Sequence, residues 1–529
     1  MIGFCQLVLH AHLPFVRHPE HPFFMEEHWL FEAMSETYLP LVALGRRLDR
    51  DGVPGTLTVS LSMPLVSMLD DPLLRERFDG YLSRLVRLAE EEIERTRQED
   101  PAFHHLAHWY HRRFVEQREM FDRELGRDVA GAFAALHRSG RIELITCVGT
   151  HGYLPLMSTD ASRRGQIRTS CEAFEDRFGW RSRGVWMGEC AYVPGVEQLL
   201  ADEAVQYTFV DAHGILTASA PAVRGLYAPL SAPSGVCFFG RDPESSEQVW
   251  SAESGYPGDP RYREFYRDVG FDRPYEAIAP YVNPDGVRMH TGIKYYRVTA
   301  RGTDDKAPWN PDWAMDAVRS HAADFVRRRR AQVSAAAEGI DLPPLVTSPY
   351  DAELFGHWWF EGPAFLEAVL REAAHQDEVV FTTPGRYLDA YPRQQEATPG
   401  SSSWGEDGYH KVWLDSPNAW IRPFLHDAEC RLQAVVRRTL DLDDPPNAAL
   451  ERALNQAARE LMLAQASDWA FILYTGTTMD YAAARTRDHV EGVHRLLDMV
   501  DAGAVDEDVL ELMESRSPIF PGIRYANWV

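Results

Sequence analysis

Lysine is nearly missing from this chain of 529 residues. It stands only at 294, 306 and 411, whereas lysine and arginine together number 54. Positive charge as a whole is in short supply: aspartate and glutamate number 79, and the formal net charge is −25. Such a surface repels phosphate backbones and anionic headgroups, so nucleic acid and membrane surfaces are poor partners, while a neutral polymer is not turned away. Cysteine is sparse as well. The six, at 5, 147, 171, 190, 237 and 430, contain no C-x-x-C pair. That argues against a disulfide framework or a cysteine zinc site and fits reduced cytoplasmic thiols. No run of about 18 apolar residues occurs, so no segment reads as a membrane-spanning helix. The chain opens on an apolar run, Phe4 to Leu9, with no basic stretch before it, and no secretory leader is expected. What remains is ordinary globular composition, 45% hydrophobic and 25% charged, in a length that suits one large domain with additions.

Six short apolar runs end abruptly in polar residues: Phe4–Leu9, Thr56–Leu61, Ile142–Val148, Gly184–Met187, Tyr207–Val210 and Leu345–Thr347. Their length and apolar content suit strands buried on both faces. Helical patterns lie between most of them, at Glu32–Arg50, Asp160–Phe178, Val196–Glu203 and Asp312–Ala337. Strand, polar tip and helix in repetition indicate a parallel α/β fold, whose chemistry gathers at the carboxyl ends of the strands. Five of the six runs carry His, Asp or Glu there. Two regions break the rhythm. Residues 71–138 read as a helical insertion, and residues 218–300, rich in Gly, Pro and aromatics, read as long ordered loops over a cleft. A Pro/Gly/Ser-rich boundary near 396–403 divides a catalytic part, 1–400, from an all-α part, 404–529.

Two acidic motifs stand at strand ends. Glu189 lies in Trp186-Met187-Gly188-Glu189-Cys190-Ala191-Tyr192, between aromatic residues and after a glycine that lets the chain bend. Asp351 and Glu353 lie in a stretch that continues into Gly356-His357-Trp358-Trp359. Apolar surroundings raise a carboxyl pKa and preserve a proton for acid catalysis. Glu189 could instead pair with an arginine, and Asp351 or Glu353 could cap the following helix; Glu353 reads as structural. Two carboxylates from different strands suit glycoside chemistry, one as nucleophile and one as acid then base. Loop aromatics at Trp250, Tyr256, Trp309, Trp313, Trp404 and Trp413 add candidate platforms for sugar rings. His10-Ala11-His12 at a strand end is open to three readings: a metal pair with His151, His213 and Asp211, hydrogen bonding to sugar hydroxyls, or core packing.

Five blocks, in order, resemble glycoside hydrolase family 57. They are H-A-H-L-P at 10–14, H-G-Y-L-P at 151–155, W-M-G-E-C-A-Y at 186–192, S-P-Y-D-A-E-L-F-G-H-W-W at 348–359 and A-S-D-W at 466–469. The resemblance implies a distorted (β/α)7 barrel and a retaining mechanism with no metal or other cofactor. It implies Glu189 as nucleophile and Asp351 as proton donor. Substrate contacts would come from Arg267, Gly292, Trp404, Asp468 and Trp413, with His10, His12 and His151 binding hydroxyls. Tyr296 stands where the family is expected to have Trp. Within the family, Cys190 after Glu189, the length, the helical C-terminal part and the Trp404/Trp413 pair favour 1,4-α-glucan branching over glucanotransferase or amylase activity. Donor and acceptor would both be α-1,4-glucan.

Overall fold

The computed structural model describes residues 2–283, 286–300 and 303–529. Seven parallel strands form its centre: β1 (Gly3–Ala11), β2 (Leu57–Leu61), β3 (Ile142–Cys147), β4 (Val185–Trp186), β5 (Tyr207–Val210), β6 (Cys237–Gly240) and β7 (Leu345–Asp351). Almost every residue in them is buried, as expected of strands covered on both faces. Ladders run from β7 through β1, β2 and β3 to β4, and another joins β5 to β6. Two seams close the ring. One is a single bridge between Gly184 and Tyr207, the other a hydrogen bond from the Asp242 N–H to the Thr347 carbonyl at 2.8 Å. The result is the distorted seven-stranded barrel that the family resemblance implied.

All six expected strands are present. The seventh, β6, lies inside the region read as loops. Glycine and proline on either side hide its short apolar run Cys237-Phe238-Phe239. The segment from 240 to 260 is not a loop throughout: Pro243–Trp250 is a helix capped by Asp242, whose carboxylate accepts the Ser245 N–H at 2.7 Å. Strand β7 also runs on through Pro349, where the sequence reading stopped. Thr347 and Pro349 are two residues apart, so their backbone groups point the same way. The missing proline N–H therefore faces the β6 seam, where the ladder is already broken, and costs no sheet hydrogen bond.

The helices form for local reasons. Asp160–Phe178 starts where Thr159 accepts the Ser162 N–H at 3.1 Å, and stops at Gly179, φ 84. Removing that cap, as in Thr159→Ala, costs about 1 kcal/mol. Glu27–Arg50 is one rod interrupted by a π-helical turn, Met34–Tyr38, in which all five side chains are buried. The extra residue per turn swings Glu36 and Tyr38 toward the barrel mouth. The 71–138 insertion is helical as expected, at Pro72–Gln98, His104–Glu119 and Val129–Arg138. So is the C-terminal part, at Ile421–Leu440, Ala448–Ala464, Ser467–Thr475, Met479–Ala502 and Glu507–Arg516. Its core does not stand apart. Leu432, Leu461 and Leu497 belong to the same continuous apolar cluster as Leu9 and Leu61 of the barrel.

Candidate active site

Each strand delivers polar side chains to the same end of the barrel. They are His10 and His12 from β1, Ser60 and Ser62 from β2, His151 after β3, Glu189 after β4, Asp211 and His213 after β5, Arg241 after β6, and Asp351 and Glu353 at β7. The floor is Trp186, fully buried, with the His10 ring stacked on it at 4.6 Å and 10°.

Glu189 owes its place to a forced turn. At Gly188 an added Cβ would lie 2.8 Å from the carbonyl oxygens of His151 and Gly152, so only glycine fits. The chain then folds Glu189 into the left-handed region, φ 62, and the facing His151 is held there too, φ 60. A side-chain-bearing residue pays roughly 1–2 kcal/mol for that conformation, so outside contacts must hold it. Two residues from beyond the barrel do so. The Trp404 N–H donates to the Glu189 carbonyl at 3.0 Å and its indole Nε1 to Glu189 Oε2 at 2.8 Å. The Ser467 N–H donates to the His151 carbonyl at 3.2 Å, while Ser467 Oγ lies 2.8 Å from both Glu189 Oε1 and His151 Nδ1.

The three histidines lie together. His10 Nε2 is 3.0 Å from His151 Nε2, and the His12 and His151 rings stack at 4.0 Å. Burial holds His10 and His151 well below the usual imidazole range, and the neighbouring His12 adds to the effect. His12 is the exception. Burial acts on it too, but the Asp468 carboxylate, 3.1 Å from its Nε2, outweighs that and raises its pKa. His12, His151 and Asp468 each offer a ligand atom within 4.8 Å of the others, as do His10, Cys147 and His151. The first set is close enough to share a cation, and its nitrogens are engaged by the hydrogen bonds just described.

Asp351, at the end of β7 on the same mouth of the barrel, opens onto the cleft, and its charge acts on Glu189. Burial by the surrounding walls still pushes its carboxyl up to about 6, against the opposing pull of Arg241 and His12. Burial likewise pushes Glu189 up to about 7, opposed by the Trp404 and Ser467 hydrogen bonds and reinforced by the charges of Asp468 and Asp351. Between about pH 6 and 7 the two carboxyls together therefore hold about one proton, with Glu189 the higher of the two. Two donors at 2.8 Å stabilise the charged form of Glu189 without outweighing its burial, and the form that suits displacement is the one in which Glu189 carries the charge and Asp351 keeps the proton. Glu353 is elsewhere engaged. Its Oε1 accepts the Tyr38 hydroxyl at 2.5 Å and the His12 N–H at 3.3 Å, which pins the end of β1, the structural role expected of it.

Two carboxyls with raised pKa values, in a barrel mouth lined with histidine and tryptophan, suit displacement at a sugar carbon. The model of glycosyl hydrolase family 57 matches residues 6–297, more than half of the chain. The chain belongs to glycosyl hydrolase family 57. A second family model, described as 1,4-alpha-glucan branching enzyme, C-terminal, matches residues 424–528. A 1,4-alpha-glucan branching enzyme of Thermococcus kodakarensis is 33% identical, the match covering 98% of this chain and 78% of that protein. Among solved structures, the alpha-amylase AmyC of Thermotoga maritima shares 40% identity over 100% of this chain and 99% of its own, with a TM-score of 0.92. A family 57 branching enzyme of Pyrococcus horikoshii shares 31%, covering 100% and 97%, with a TM-score of 0.88.

The remaining family 57 contacts expected from the sequence lie at different distances from this pair. Trp404 is in direct contact with Glu189 rather than standing as a free platform, and Asp468 holds His12. Trp413 is 2% exposed and stacks on Tyr153 at 4.7 Å, so it braces the cleft wall and presents no open face. Trp309 is likewise core, its indole donating to Glu361 at 3.0 Å, whereas Trp250 and Trp313 are exposed. Arg267 pairs with Asp272 at 2.8 Å and lies 4.3 Å over the Tyr296 ring. Gly292, φ 76, donates its N–H to Asp268 at 2.9 Å and accepts from Arg263 at 3.3 Å. Both belong to a layer that meets the barrel through Glu36, which binds Arg263 at 3.0 Å and His357 at 2.8 Å. The sequence reading missed Arg241 and Ser467. Arg241 follows the apolar run of β6 as the other polar tips follow theirs. Ser467 stood unremarked in A-S-D-W beside Asp468.

Proposed function

We propose that this chain is a 1,4-α-glucan branching enzyme acting by a retaining double displacement, with Glu189 as nucleophile and Asp351 as acid then base. An α-1,4-glucan lies across the barrel mouth. Glu189 attacks the anomeric carbon while Asp351 gives its proton to the departing glucan oxygen, and a covalent glycosyl-enzyme forms. Asp351, now ionised, takes the proton from the C6 hydroxyl of an acceptor glucan, whose oxygen displaces Glu189. Two inversions leave an α-1,6 bond with the original configuration. His10, His12 and His151 bind hydroxyls of the donor, and Arg267, Gly292 and Asp468 serve as outer contacts. The barrel over 1–400, with insertions at 71–138 and 218–300, supplies the chemistry, and 404–529 completes the cleft. No metal or other cofactor is required. The acidic surface, the six free cysteines and the lack, among the described residues, of any helix long and apolar enough to cross a membrane support action in the cytoplasm.

The observation that carries this reading is the grip on Glu189 from outside the barrel. Cleavage alone needs the carboxylate pair. Here the segments bearing Trp404 and Ser467 close over the nucleophile, and the helices behind them match the C-terminal model of branching enzymes. Such cover keeps water from the intermediate until an ordered acceptor arrives. Hydrolysis is the second reading, favoured by the 40% identity to the alpha-amylase AmyC. Proton NMR of amylose after incubation separates the two. Branching yields α-1,6 anomeric signals with few new reducing ends. Reducing ends without α-1,6 signals would overturn it in favour of an amylase, and lengthened chains with neither would point to 4-α-glucanotransfer.

A further inference from the structure

Ser467 has a single hydroxyl proton and two partners at 2.8 Å, the Glu189 carboxylate and His151 Nδ1. An ionised carboxylate can only accept, so the proton goes to Glu189. The Ser467 oxygen must then accept from His151, which places the His151 proton on Nδ1. A neutral imidazole has one N–H, so His151 Nε2 is bare and accepts. Its partner at 3.0 Å, His10 Nε2, must donate. That leaves His10 Nδ1 as an acceptor for Ser60 Oγ at 3.2 Å. An ionised Glu189 thus orients four hydrogen bonds in turn.

We infer that Ser467 is a positioning residue that joins the nucleophile to a directional wire, Ser60–His10–His151–Ser467–Glu189, with every proton aimed at the carboxylate. Donors arranged head to tail polarise one another, so the bond that reaches Glu189 is stronger than a lone serine would make. The links that lead to Glu189 are neutral, because burial keeps both rings uncharged. The wire also has a second polarity. Ser60 Oγ lies 3.3 Å from the Thr146 carbonyl, an alternative acceptor. With Glu189 protonated, the reversed order ending at the Thr146 carbonyl would also satisfy every donor, but reaching it requires each imidazole to give up one ring proton and take another from solvent.

Other groups face Glu189, and none replaces the wire. His12 and Asp468 stand as a pair at 3.1 Å, Asp351 shares the catalytic proton, and Cys147 and Tyr153 are held neutral by burial. Trp404 supplies the second donor to the carboxylate.

The kinetic consequence rests on Glu189 being the nucleophile, whereas the tautomers do not. Ser467→Ala removes the last link. It should lower kcat/KM near pH 6 by about tenfold or more and move the acid limb of the profile up by about one pH unit, because Glu189 loses a donor to its charged form. Ser467→Thr keeps the hydroxyl and should restore both. Ser60→Ala, at the far end, should move the limb the same way by less. A Ser467→Ala enzyme that is slower with an unmoved acid limb would overturn the inference and make Ser467 a spacer under His151. The unmodified protein gives an independent reading. With nitrogen-15 in its histidines at pH 8, His151 should show protonated Nδ1 and bare Nε2, and His10 the reverse. The opposite pair of tautomers would overturn the wire even if every variant fails to fold.

Discussion

The two rims of the cleft are built on different terms. On one rim, Glu189 sits in a strained conformation, φ 62, gripped through backbone and carboxylate by residues far along the chain. On the other, Asp351 continues a regular strand, φ −62 and ψ 133, opens onto the cleft, and has no side-chain hydrogen-bond partner among the described residues. The difference suits the roles proposed for the two carboxyls. A nucleophile makes a bond to one carbon and gains from being fixed within a fraction of an ångström. An acid that later acts as a base must reach first the leaving oxygen and then the acceptor oxygen, so a rigid set of partners would hinder it.

Variants that exchange the character of the two rims test this contrast most severely. Glu189→Gln should abolish turnover on every substrate, a loss on the order of 10⁴-fold or more, since an amide does not attack carbon. Asp351→Asn should cost about 10²–10⁴-fold with glucan, yet cleave a donor whose leaving group needs no proton, such as a glycosyl fluoride, at a much smaller loss. Steady-state rates on the two substrates check both. If the two variants lose equally on the fluoride, the rims are not divided in this way.

Trp404→Phe should have the next largest effect. It deletes a hydrogen bond to a charged carboxylate, about 1.5–3 kcal/mol, so cleavage and transfer should fall together by roughly ten- to a hundredfold. A variant in which only the ratio of reducing ends to α-1,6 bonds changes would return Trp404 to the role of an acceptor platform.

The pH profile should move less. The proposed mechanism uses Glu189 ionised and Asp351 protonated, and burial raises both. Activity should therefore climb as the first proton leaves the pair, peak between about 6 and 7, and fall as the second leaves. The smallest change is expected at Arg267, whose guanidinium is bound to Asp272 and lies over the Tyr296 ring. Arg267→Ala should alter cleavage of a short donor by no more than about twofold, as for a surface substitution. A larger loss on short donors would extend the cleft across the layer around Gly292.

Sequence patterns exposed the barrel better than the clamp. Strands β1 to β5 and β7 announce themselves because a buried parallel strand must be apolar and its tip need not be. β6 follows the same rule, but its flanking glycines and prolines carried more weight than four residues could, and Arg241 went unread with it. Asp242-Pro243-Glu244 did contain a helix start, a capping residue followed by proline, inside what was taken for a loop. Glu189 and Asp351 were legible because their motifs are local. Ser467 and Trp404 were not read as its partners, because the contacts that define them span 278 and 215 residues. A serine carries no periodic signal, and a loop tryptophan suggests a platform as readily as a hydrogen-bond donor.

The division of labour between the rims is tested most directly by trapping the intermediate. Asp351→Asn enzyme given an α-maltosyl fluoride should complete the first displacement and stall in the second, because no base remains to activate an acceptor. Mass spectrometry of its proteolytic peptides should find one maltosyl unit on the peptide containing Glu189. A label on the peptide containing Asp351 and Glu353, or turnover of the fluoride with inverted configuration and no label, would contradict the account.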